Sequence, residues 1–125
     1  MEKLIQCQDT YRIIGLCIEV NIELGFGVSE IVYKDAIEIE AQFHEIPIQR
    51  EQQFDIVYKN TRLPHKFFAD FVMFDNIIVE IKSSSRGIAD EHISQTLNYM
   101  KASGSRVGLI INFGRKNLEY KRFVL

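Results

Sequence analysis

Tryptophan is absent, and proline and cysteine occur only twice each. With so few prolines there are few hard boundaries, and no proline- or glycine-rich stretch marks a linker. Cys7 and Cys17 form no CxxC pair and have no histidine cluster beside them, which makes them a poor zinc set and a poor disulfide framework. Both are expected as reduced thiols, with Cys17 on the apolar side of a helix. No apolar run approaches the roughly 20 residues that a membrane span needs. The opening MEKLIQCQDT holds no apolar leader core, so neither membrane nor secretory route is expected and a cytoplasmic setting follows.

What remains has the composition of one globular domain, 1–125: 46% hydrophobic and 26% charged residues, enough apolar surface to offset chain entropy. A net charge of −2 excludes a uniformly basic nucleic-acid binder. The charge is nevertheless polarised. Residues 1–80 carry 7 Lys/Arg against 14 Asp/Glu, whereas residues 81–125 carry 8 against 3, so one face can still meet phosphate.

Asp9 or Thr10 can cap a first helix on which Ile13, Cys17, Val20 and Leu24 recur at helical spacing, with Ile14 and Ile18 beside them. Gly25-Phe26-Gly27 is a joint. Ser29 can cap a second helix to about Phe43, with Val32, Ala36 and Ile39 expected inside. Strands are expected over 49–58, 63–74 and 77–83, with a turn at Lys59-Asn60. Asp90 can cap a third helix, with Ile93, Leu97 and Met100 inside, ending at Gly104. Strands over 107–113 and 118–124 follow. The order α-α-β-β-β-α-β-β predicts an α/β protein of the α+β kind, a mixed sheet with helices packed on it.

The segment FFADFVMFDNIIVEIK, residues 67–82, carries the chemistry. Asp70 lies in a strand apolar on both faces, where an ionised carboxylate persists only if paired, hydrogen-bonded or metal-bound. Glu80 and Lys82 share one face of the next strand, with Val79 and Ile81 on the other. A two-residue loop, Asp75-Asn76, would pair Asp70 with Ile81 and turn it away from Glu80. A three-residue loop, Phe74-Asp75-Asn76, sets Asp70 opposite Glu80, and Asn76 suits the left-handed third position that such a loop asks for. The three-residue loop with Asn76 at positive φ is therefore expected. An Asp and a Glu across one strand pair offer a hard divalent cation, Mg²⁺ or Mn²⁺, an oxygen seat. A neighbouring lysine can orient or deprotonate the attacking water, or stabilise charge on a phosphate. A buried ion pair without catalysis is the alternative that these residues leave open.

The Asp70…Glu80-Ile81-Lys82 arrangement resembles the PD-(D/E)XK nuclease superfamily. Within it, Gly27-Val28-Ser29-Glu30-Ile31-Val32-Tyr33 looks like the motif that names the GxxExxY family. Ile13-Ile14-Gly15 with Glu19-Val20, Gln95-Thr96-Leu97-Asn98-Tyr99, and Gly108-Leu109-Ile110-Ile111-Asn112-Phe113 are further matches. The resemblance spans about Thr10 to Val124. Asn21 and Phe26 depart from it where the family often has histidine and proline. It implies a restriction-endonuclease-like α-β-β-β-α-β core with an extra N-terminal helix and a C-terminal strand. It makes Asp70 and Glu80 metal ligands, Lys82 the catalytic lysine, Glu30 an acidic contribution from the helix and Gln95 a polar residue pointed at the site.

Read physically, Glu30 lies in a first helical turn, where the macrodipole favours a carboxylate, and shares a side with Tyr33. Gln95 and Tyr99 are four apart, with His92 three residues before Gln95 and expected to be hydrogen-bonded or exposed. His44 and His65 have no recognisable partners. Arg86, Lys101 and Arg106, with Arg115, Lys116, Lys121 and Arg122, supply positive charge for a nucleic-acid backbone, which gives affinity without base reading. The expectation is a Mg²⁺- or Mn²⁺-dependent nuclease acting on DNA ahead of RNA, working as a homodimer. The competing reading is a catalytically silent binding or scaffold protein on the same fold.

Overall fold

The structure is a computed structural model that describes residues 6–125. Half of the opening segment on which the leader expectation rests, residues 1–5, lies outside the described residues. The chain forms α1 (Cys7–Leu24), α2 (Glu30–Phe43), β1 (Ile48–Tyr58), β2 (Thr61–Met73), β3 (Ile77–Lys82), α3 (Asp90–Ser103), β4 (Val107–Asn112) and β5 (Glu119–Val124). The five strands make one sheet in the order β1-β2-β3-β4-β5. The β3–β4 pair is parallel, with α3 as its crossover, and the other pairs are antiparallel. This is the expected mixed α+β architecture. Among the described residues no helix is long and apolar enough to cross a membrane.

The alternation of β3 and β4 divides the core. Ile77, Val79, Ile81, Val107, Leu109 and Ile111 bury against Ile13, Leu16, Cys17 and Val20 of α1 and Tyr33, Ile37 and Ala41 of α2. Each valine, leucine or isoleucine among them contributes about 1.5–3 kcal/mol when fully buried. Ile78 and Val72 pack on the opposite face with Tyr99 and Met100 of α3. Period two therefore puts Glu80 and Lys82 on the α3 face, within a strand covered on both sides.

Several local expectations need correction. α1 starts at Cys7 with Gln6 as its cap, so Asp9 sits in the first turn and Thr10 is buried. On α2, Val32 and Ile39 are 37% and 52% exposed, and the inner stripe is Tyr33, Ile37 and Ala41. The helix is apolar on two sides, and tyrosine wins the inner one because its hydroxyl finds partners: Tyr33 donates to the Gly25 carbonyl at 2.7 Å and accepts from the Val28 amide at 3.1 Å. α3 starts one residue after Ala89, whose amide donates to His92 Nδ1 at 3.1 Å, so His92 replaces Asp90 in stabilising that end.

The hairpin loops set the register. Tyr58 pairs with Thr61 across a two-residue turn in which Lys59 and Asn60 both have positive φ, as the twist of a tight hairpin demands. Met73 pairs with Ile77, so the β2–β3 loop has the expected three residues. Its left-handed positions, however, are Phe74 (φ 51°) and Asp75 (φ 68°), and not Asn76. The Phe74 amide is drawn out of the hairpin to donate to the Pro47 carbonyl at 2.9 Å, and the Asn76 side chain accepts from Gln6 Nε2 at 2.6 Å.

Candidate active site

The β2–β3 ladder pairs Phe71 with Val79, and one residue further along each strand stand Asp70 and Glu80. There the side chains take over the cross-strand bonding. The Asp70 amide donates to Glu80 Oε2 at 2.7 Å, and the Ile81 amide donates to Asp70 Oδ2 at 2.8 Å. The two carboxylates thus replace the ladder bonds between the strands at this point. Glu80 is 2% exposed and Asp70 9%. Burial, with the charge of Asp70 added to it, pushes the Glu80 carboxyl up to about 8 against the pull of the Asp70 amide, Lys82 and Lys34. Two crowded carboxylates, of which Glu80 resists ionisation, form a donor set that suits a divalent cation. Lys82 is half-buried at the end of β3, and its Nζ donates to Gln95 Oε1 at 3.4 Å.

A network of backbone contacts fixes this corner. Lys82 lies opposite Asn112, and the Lys82 carbonyl accepts from the Phe113 amide at 2.8 Å. The fully buried Asn112 accepts from the Ser84 and Gly114 amides and donates to the Ser84 carbonyl and to Glu119. A Cβ at Gly114 would fall 2.3 Å from the Ser84 backbone, so only glycine allows this approach. The joint before α2 is tied to the same place: the Gly27 amide donates to the Phe113 carbonyl at 3.0 Å, and Ser83 Oγ donates to the Val28 carbonyl. Tyr33 stacks on Phe113 with ring centroids 4.2 Å apart.

A family model described as the PD-(D/E)XK nuclease superfamily matches residues 7–123. The chain belongs to that superfamily. No curated protein matches it. A solved structure described as "Crystal structure of SSO0001" superposes with a TM-score of 0.61 at 14% identity, covering 98% of this chain and 62% of that one. At that identity the likeness is one of fold, and this chain spans less than two thirds of its neighbour's length.

Within this nuclease-superfamily fold, Gln95 and Tyr99 reach the site from α3. Tyr99 is buried, and its hydroxyl is held above its ordinary value by burial first and then by the charges of Glu80, Asp70 and Glu51. Glu30 is exposed in the first turn of α2, whose joint is bound to Ser83, next to Lys82. Its carboxylate does not close on Asp70 and Glu80: among the described residues, the one set of three potential ligands within 4.8 Å of one another is Glu19, Glu40 and His44. That set, with Glu19 and His44 exposed and Glu40 half-buried, lies on the α1–α2 side and gives His44 the partners its sequence did not reveal, at 3.3 Å (Glu19) and 2.9 Å (Glu40). Hydrogen bonding to Glu19, and then to Glu40, holds His44 above its ordinary value despite partial desolvation. Arg86 is exposed in the loop after β3, and Lys101 is exposed in the last turn of α3. Arg106 is not brought to this corner. It precedes Val107, the partner of Ile77 at the far end of β3, and its Nε donates to the Leu125 carbonyl at 3.1 Å.

Two residues at the site were missed. Lys34 Nζ lies 2.6 Å from Asp70 Oδ1 and 2.9 Å from Glu51 Oε1. Burial opposes the Lys34 charge, but the bonds to Asp70 and Glu51 outweigh it and hold the ammonium above its ordinary value. The available signal was its place four residues after Glu30 on one helix face. Glu51 falls between Arg50, opposite Phe71, and Gln52, opposite Ala69, and therefore stands across from Asp70. The Lys59-Asn60 turn alone would have set Glu51 against Phe68. The register shifts between Asp55 and Val57, where β2 carries Leu63, Pro64 and His65 against Ile56. Proline has no amide to give a ladder, so the irregularity settles there.

Proposed function

We propose that this chain is one metal-dependent nuclease domain of the GxxExxY kind, hydrolysing phosphodiester bonds of DNA ahead of RNA in a cytoplasmic setting. The observation that carries the reading is the reciprocal Asp70–Glu80 bonding, with Lys82 on the same face two residues on. Asp70 and Glu80 would hold Mg²⁺ or Mn²⁺, which when bound supplies Lewis acidity at the phosphate. Lys82 takes or holds a proton at the attacking water and faces the developing negative charge. Gln95 orients the Lys82 ammonium through its Oε1, and Tyr99, packed against Phe67, stands close enough to feel the charge of Glu80. Glu30 is the outer acidic residue, free to turn on its exposed first turn. Tyr33 supports the joint that carries it. Arg86 and Lys101 would offer exposed positive charge to the phosphate backbone, whereas Arg106 serves the C-terminal edge. A homodimer would present a longer face to a duplex, and sedimentation should then give twice the mass of one chain.

A plasmid-nicking assay with Mg²⁺ or Mn²⁺ tests the reading. Lys82→Ala and Asp70→Asn should each lower the rate by 100-fold or more, of the order expected for the loss of a charge-stabilising group. Equal rates in wild type and both variants would reject the assignment. A scaffold protein would show no nicking in any of the three.

A further inference from the structure

The site holds more carboxylate than one cation needs. Glu51, Asp70 and Glu80 stand in one row across β1, β2 and β3. The two oxygens of Asp70 are engaged differently: Oδ2 accepts from the Ile81 amide beside Glu80, while Oδ1 takes the Lys34 ammonium at 2.6 Å. The same ammonium bridges to Glu51 at 2.9 Å. The Lys34 side chain is 12% exposed, so this is no solvated surface pair. Glu51 adopts φ 54°, a left-handed conformation inside a strand that costs a non-glycine residue roughly 1–2 kcal/mol. That conformation takes it out of the pleat while its carboxylate holds Lys34.

We infer that Lys34 is a built-in cation of the site. Its ammonium fills the place between Asp70 and Glu51 that a second divalent ion would otherwise take, so a single ion at Asp70 and Glu80 completes the charge balance. The inference rests on the nuclease reading and deepens it. In two-ion phosphodiester chemistry a shared carboxylate holds both cations about 3.5–4 Å apart. Here one of the two positive charges is tethered to α2, one turn after Glu30. Lys34 is thus a positioning residue: it fixes Asp70 Oδ1 and adds positive charge on the side of the carboxylate away from the Ile81 amide.

The number of bound ions decides the matter. Mn²⁺ titrated into the full chain by calorimetry, with free Mn²⁺ counted by electron paramagnetic resonance, should give one ion in wild type. Lys34→Met keeps the apolar stem and removes the charge, and it should bind two. Adding Glu51→Gln to Lys34→Met should return the count to one. A merely structural Lys34 would change the melting temperature and leave the count alone. Lys34→Gln is the second variant if Lys34→Met does not fold, with the same expected count of two. A charge-free Lys34 variant that binds no more ions than wild type overturns the inference, whatever its nicking rate. If wild type binds one ion and loses nicking on Asp70→Asn, the nuclease reading survives that result. A wild type that binds none sinks the metal-dependent reading by itself.

Discussion

Replacing Glu80 by glutamine should stabilise the metal-free protein at about pH 8.5 and change it little at about pH 4. Glu80 is buried beside Asp70, and its carboxyl is raised from 4.5 to about 8. A folded value above the unfolded one means that the native state keeps a proton the unfolded chain has released. The stability contributed by protonated Glu80 is therefore fully present below about pH 4.5 and is lost as pH rises through about 8. At 1.36 kcal/mol per pH unit this amounts to roughly 3–5 kcal/mol, a large share of the ~5–15 kcal/mol that holds a domain folded. Glutamine has the same length and keeps an oxygen to accept from the Asp70 amide, now made at 2.7 Å. The assay is urea denaturation in EDTA across pH 4 to 9. The variant should show a nearly flat profile where wild type declines, and the gap between the two at high pH should narrow in Mn²⁺. An ion at 100 times its dissociation constant adds about 2.7 kcal/mol to wild type and much less to a variant lacking one ligand. A variant less stable than wild type at pH 8.5 without metal, or two profiles that run parallel, would refute this account of Glu80.

Two further outcomes concern the frame around the site. Tyr33→Phe removes the hydroxyl shared by Gly25 and Val28 and should cost about 1–3 kcal/mol, read by thermal melting, because the Gly25 carbonyl and Val28 amide lose a partner. Gly114→Ala drives a methyl into the Ser84 backbone and should cost about 1–3 kcal/mol or more, with nicking lost faster than stability because the displaced loop follows directly on Lys82.

The register of the central hairpin was legible because a side-chain period of two leaves only two answers, and an acidic residue in each of two apolar strands favours the one that brings them together. The left-handed residues in that loop were not legible. Their positions depend on Pro47 and Gln6, which are distant in sequence and contact the loop only in the folded chain. The inner stripe of α2 was misassigned for a related reason. Val32 and Ile39 are as apolar as Ile37, and the choice turned on a hydroxyl partner in the joint before the helix. Lys34 and Glu51 escaped because each is an ordinary surface residue by pattern. They become site residues only through a register shift at Pro64 and a helix laid over the strand pair.

That shift has an evolutionary and engineering consequence. It displaces β1 along β2 by two places, an even number, so every side chain keeps its side while changing its neighbour. Arg50 still meets Asp35 and Glu38 on α2, and Glu51 exchanges an aromatic neighbour for an acidic one. Shortening the arm by a single residue next to Pro64 would invert the whole outer ribbon. Trimming it by two would slide an intact surface past the Asp70–Glu80 corner, like a vernier moved by one division.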